Sequence, residues 1–165
     1  MEKNEIIDQI TSTWRRHNEI LLYLLNEIPE EGFEAKPAGS RGRDVARQFF
    51  HMNRVRLQWL HHHETGETAK PPRQDKGPPP SRKELNDALS ASGELIDEWL
   101  RSVLEGTSEA IPKMFAKQPV RFMGYLIAHE SHHRGQIALA LKQSGMKLPE
   151  KVAVQGLWGK WMFGK

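Results

Sequence analysis

The chain has 165 residues, no cysteine, and 24 Lys and Arg against 21 Asp and Glu, for a net charge of +3. That length reads as one domain, residues 1–165, able to bury about 68–70% of its unfolded surface without a covalent staple. The missing cysteines exclude a disulfide scaffold, a thiol nucleophile and a thiolate-ligated metal, and they suit a reducing cytoplasm.

Four amphipathic helices are predicted in chain order. In the first, Ile7, Ile10, Trp14, Leu21, Leu24 and Ile28 recur at helical steps, and Pro29 and Gly32 end it. The second runs from about Arg43 to His62, with Ser40 as N-cap and Val45, Phe49, Met52, Val55 and Trp59 as its apolar stripe. ETGETAKPPRQDKGPPPS, residues 64–81, is rich in proline and reads as a long crossover loop. Ser81 and Glu84 form the S-x-x-E capping box of the third helix, whose stripe is Leu85, Ala88, Leu89, Ile96, Trp99 and Val103 and whose stop is Gly106. Pro119 suits the first turn of the fourth. Its stripe is Phe122, Leu126, His129, His133, Ile137 and Ala140, with Gly145 at the C′ position. The short aromatic tail, KLPEKVAVQGLWGKWMFGK, is expected to pack across one end, with a turn of helix at 155–162. Strand patterns are scarce, so the expected fold is all-α, a four-helix bundle with one long crossover.

The charges suggest no partner of one sign. Lys and Arg are interleaved with Glu and Asp, which argues against a nucleic-acid binder. No apolar run approaches the roughly 20 residues of a membrane span. The N-terminus MEKNEIIDQI lacks the regions of a signal peptide, so a cytoplasmic protein is expected.

The chemistry lies in the histidines. His129 and His133 sit at i and i+4, on one helix face and about 6 Å apart along the axis, so both rings can reach one metal ion. Both fall on the apolar stripe and point inward. His51, at one edge of the second helix's stripe, and His17, one turn beyond Trp14, compete as a third ligand; the simpler reading of His17 is a core histidine bonded to a neighbour. His61, His62 and His63 end the second helix and read as a solvated, dipole-complementing end. His132 points about 100° away from His133 and reads as a supporting group.

AHESHHRGQ, 128–136, also fits the H-E-x-x-H pattern of zinc proteases. The metzincin extension needs Gly and His where Gln136 and Leu139 stand, and no strand edge is predicted to align a peptide. Glu130 is the tempting general base, but it can equally face a neighbouring helix. Arg134 and Gln136 can bond ligands or serve only packing and surface contacts.

Three segments give the chain a resemblance to the DinB family, also called YfiT-like: FFHMNRVRLQWL at 49–60, HESHHRGQIALAL at 129–141 and KLPEKVAVQGLW at 147–158. HHRGQ following a histidine three residues earlier is the most specific piece. The resemblance implies an up-down-down-up four-helix bundle and a divalent metal, zinc or nickel, held by three histidines. Carried over position by position, these are His51, His129 and His133, in preference to His17. It also implies a homodimer.

Three protein nitrogens leave coordination positions open, as in catalytic sites. The resemblance favours a transferase in which a low-molecular-weight thiol attacks an electrophile. The alternatives are a metal-dependent hydrolase and a non-enzymatic, metal-stabilised stress or interaction module.

Overall fold

In the computed structural model, residues 2–68, 77–110 and 114–164 are described. Every regular element among them is helical. Four helices are long: α1 (Lys3–Glu27), α2 (Val45–Thr65), α3 (Arg82–Glu105) and α4 (Pro119–Gln143). A short α5 spans Gly159–Phe163. No helix among the described residues is long and apolar enough to cross a membrane.

The helix ends follow local chemistry. α1 stops at Glu27 because Ile28, extended before Pro29, cannot continue a helix; a 3-10 turn over Glu30–Glu34 follows. Asp44, not Ser40, caps α2, accepting from the Arg47 backbone N–H at 2.8 Å. Ser40 instead closes its own turn, accepting from the Gly42 N–H at 2.9 Å. α2 also runs to Thr65, taking two residues from the expected crossover, and Gly66 ends it in the left-handed region. The middle of that crossover, 69–76, lies outside the described residues. Ser81 and Glu84 form the expected box: Glu84 accepts from the Ser81 N–H at 2.8 Å and Ser81 from the Glu84 N–H at 3.3 Å. Pro119 opens α4, and Gly145 follows its C-cap with φ 79°.

α1 packs on α3, α3 on α2, α2 on α4 and α4 on α1. The apolar side chains gather in two clusters. One joins Leu21, Leu24, Leu25, Phe49, Met52, Leu85, Leu89, Ile137 and Leu141. The other joins Trp14, Val55, Leu60, Ile96, Trp99, Phe122 and Leu126. α1 and α4 contribute their N-terminal halves to the second cluster, whereas α2 and α3 contribute their C-terminal halves to it. Between the clusters lies a buried polar layer of His17, Arg56, Ser92 and Glu130.

The tail does not cross an end. A single π-helical turn, Lys151–Gly156, and α5 both lie against α1. The Lys160 ammonium sits 5.1 Å above the Tyr23 ring, and Arg16 donates to the Gly164 carbonyl at 3.1 Å. Arg16 is in the middle of α1 and Tyr23 near its C-terminal end, so the tail runs along that helix.

Candidate metal centre

α2 and α4 each carry part of one histidine cluster. His51 comes from α2, and His129 and His133 from successive turns of α4. One ring nitrogen of each lies within 4.8 Å of the other two. Ring centroids are 5.3 Å apart for His51 and His129, 5.0 Å for His51 and His133, and 4.7 Å for His129 and His133, with all three pairs edge to face.

Neighbours fix two of the rings. The buried Gln48 side chain, one turn before His51, places its carbonyl oxygen 3.3 Å from His133 Nδ1. A proton on Nδ1 donates there and leaves the Nε2 lone pair free. Tyr125 stacks on His129 at 5.8 Å, one turn earlier on α4.

The imidazoles are held neutral. Burial, then Arg43 and the other two histidines, pushes His51 down to about 3. Burial, then His129 and His132, pushes His133 down to about 4. Burial also lowers His129. A neutral imidazole keeps the lone pair a metal needs.

The residues fit a metal. Nδ1 of His51 and Nδ1 of His129 are buried polar atoms with no hydrogen-bond partner among the described residues, a costly state that ligation or a bound water relieves. Tetrahedral ligation at about 2.0–2.1 Å places nitrogens roughly 3.3 Å apart, within reach of ring rotations from the separations seen here. Among the described residues no carboxylate belongs to the cluster. An all-nitrogen set suits zinc, nickel or a similar late first-row ion.

Glu130 lies elsewhere, although it sits between the two histidines in sequence. It is fully buried among the helices. Arg56 Nε donates to its Oε1 at 2.7 Å and Arg56 Nη2 to its Oε2 at 2.8 Å. His17 Nε2 donates to the same Oε2 at 2.7 Å. Burial alone would raise the Glu130 pKa, but Arg56 and His17 more than offset it and hold the carboxyl down to about 2. Burial keeps His17 neutral despite that carboxylate. Arg56 spends its remaining donors on Asn18 Oδ1, the Leu89 carbonyl and Ser92 Oγ. Glu130 is therefore locked to structural partners, and the H-E-x-x-H match carries no protease base. His17 is the core histidine bonded to a neighbour, not a member of the cluster.

Other residues separate in the same way. His132 is exposed and accepts from Gln136 Nε2 at 3.0 Å, beside His133 but outside the cluster. Arg134 donates to Ser131 Oγ at 2.9 Å. His63 is not part of a solvated end. Only 2% exposed, it stacks on Trp59 and Trp99 with Phe122 edge-on. Gln48 and Arg56 were not singled out from sequence. Each had a signal: Gln48 one turn before a candidate ligand, and Arg56 on a step of the buried face of α2.

No curated protein matches the sequence. The DinB family model matches residues 1–161, nearly the whole chain, and the chain belongs to the DinB family.

Proposed function

We propose that this protein is a metal-dependent enzyme in which His51, His129 and His133 hold one divalent ion, zinc or nickel, and a low-molecular-weight thiol is transferred to an electrophile. The observation that carries the reading is the convergence of three neutral ring nitrogens with no carboxylate among them. The ion would supply Lewis acidity, keeping a thiol deprotonated and nucleophilic near neutral pH. The protein's own residues do the rest. The three imidazoles bind, Gln48 fixes the His133 tautomer, and Tyr125 fixes the His129 ring plane. A thiol supplies its own nucleophile and needs no carboxylate base. That favours transfer over hydrolysis, because the carboxylate nearest in sequence, Glu130, is engaged by Arg56 and His17.

The same reading takes the four long helices as one up-down-down-up bundle spanning a single domain, working in the cytoplasm. It takes the exposed Trp158, Met162 and Phe163 of the tail as support for a homodimer. Light scattering on the purified protein tests the dimer.

The test of the centre is elemental analysis of protein purified without an affinity tag, beside His51→Ala and His133→Ala. One ion per chain, lost in both variants, supports the reading. No ion after incubation with zinc or nickel overturns it. An ion that is retained but admits no exchangeable ligand would assign it a structural role.

A further inference from the structure

Beside the histidine cluster lies a pocket of about 500 Å³ lined by Lys36, Arg41, Gly42, Arg43, Asp44 and Arg47. Three of the last four residues of its wall lead directly into α2. Arg47 is one helical turn before His51, so the pocket and the ligand share a side of that helix. Arg43 stands close enough to act electrostatically on all three histidines.

The charge in this pocket is not balanced. Its one acid, Asp44, caps α2 and pairs with Arg47. Arg47 also donates to the Gly77 carbonyl at 2.7 Å. Lys36, Arg41 and Arg43 have no carboxylate partner among the described residues. Four other arginines nearer the surface are paired with carboxylates: Arg15 with Asp97, Arg16 with Glu19, Arg82 with Glu30, and Arg101 with Asp8 and Glu105. Three unpaired cations in one concave site, next to open metal positions, present donors to an anion.

We infer that Lys36, Arg41 and Arg43 form the anion-recognition arm of the site, and that its small-molecule substrate carries a carboxylate or phosphate group beside the thiol or electrophile directed to the histidine cluster. This rests on the metal-dependent reading above for the identity of the second arm, but not for the existence of the pocket.

Two measurements keep those apart. First, succinate and inorganic phosphate are titrated by calorimetry into metal-free protein and into the Arg43→Gln and Arg41→Gln variants, after thermal unfolding shows each variant folded. Saturable binding that weakens about tenfold or more in the variants is expected from loss of a charge-assisted contact. Second, cobalt-loaded protein is titrated with mercaptosuccinate and with neutral mercaptoethanol, read by the thiolate-to-cobalt absorption band. A preference of about tenfold or more for mercaptosuccinate, collapsing in Arg43→Gln while mercaptoethanol binding holds, supports the arm. Equal affinities for the two thiols, or a preference indifferent to both substitutions, overturns it. No thiolate band with either compound sinks the thiol reading alone, and the calorimetry then decides the pocket. Failure of both anions to bind overturns the pocket. Tight binding of a DNA oligonucleotide, lost in the same variants, would overturn it too, by assigning these cations to a nucleic-acid backbone.

Discussion

Arg56 grips both carboxylate oxygens of Glu130, at 2.7 and 2.8 Å, with neither side chain exposed. The pair ties α2 to α4 at the level between the two apolar clusters. It also turns Glu130 away from the histidines on either side of it. The Arg56 guanidinium further lies 4.9 Å from the Trp14 ring centroid, so α1 braces the pair as well.

Removing one member should leave the other charged, buried and unpaired. Glu130→Gln is expected to destabilise the protein by about 3–5 kcal/mol in urea unfolding. A double variant, Arg56→Met with Glu130→Leu, should lose less than either single change, because no lone charge remains. If Glu130→Gln unfolds at the same urea concentration as the parent, the pair is not holding α2 to α4.

Gln48 tests the support of the centre without touching a ligand. Gln48→Leu should lower metal affinity by about 10–100-fold, since the His133 tautomer is no longer fixed. Competition against a chromophoric chelator reads this directly. An unchanged affinity would show that His133 finds its orientation by other means.

Acid should destabilise the metal-free protein from the histidines upward. His51 is held at about 3, and His63 and His133 at about 4, chiefly by burial. Unfolded, each titrates near 6.5. The unfolded chain therefore takes up protons first, so stability is full above about pH 6.5 and falls as the pH drops toward 4. The thermal midpoint should be lower at pH 5 than at pH 7.5. His63→Phe, which keeps the aromatic packing and removes one such group, should shrink the difference.

Gly93 marks a close approach of α3 to α1. Its carbonyl accepts from Trp14 Nε1 at 2.8 Å, and a Cβ there would lie 2.6 Å from Asn18 Cγ. Asn18 is itself held by Arg56. Gly93→Ala should cost about 1–3 kcal/mol through overpacking, although alanine favours helices. Calorimetric melting would detect it, and a stabilised variant would refute the crowding.

Much of this was legible in the sequence. The helices announce themselves by apolar spacing, Ser81 with Glu84 and Pro119 mark two starts, and His129 with His133 state their geometry by a spacing of four. What stayed hidden depends on distant partners. The buried face of α2 steps through Val45, Phe49, Met52, Arg56, Leu60 and His63. Reading Trp59 as its continuation slips the face by one position at the end, which hides both the buried arginine and the buried histidine. Nothing beside Glu130 in the chain reveals Arg56, which is 74 positions away. The N-cap of α2 is ambiguous for a similar reason. Ser40 and Asp44 are both good caps by type, and only the turn that Ser40 closes on Gly42 separates them.

The division of the ligands between α2 and α4 bears on when the centre can form during synthesis. Gln48 and the histidine it orients are separated by 85 positions, with all of α3 between them. A growing chain that has displayed α2 offers an ion only one of the three imidazoles of this centre, His51. The other two appear only as α4 is made, and they meet the first only after α4 docks. Under the proposed metal reading an ion would find the three imidazoles together only once α4 has docked, so the order of translation would shield the half-built centre from capturing an ion too early.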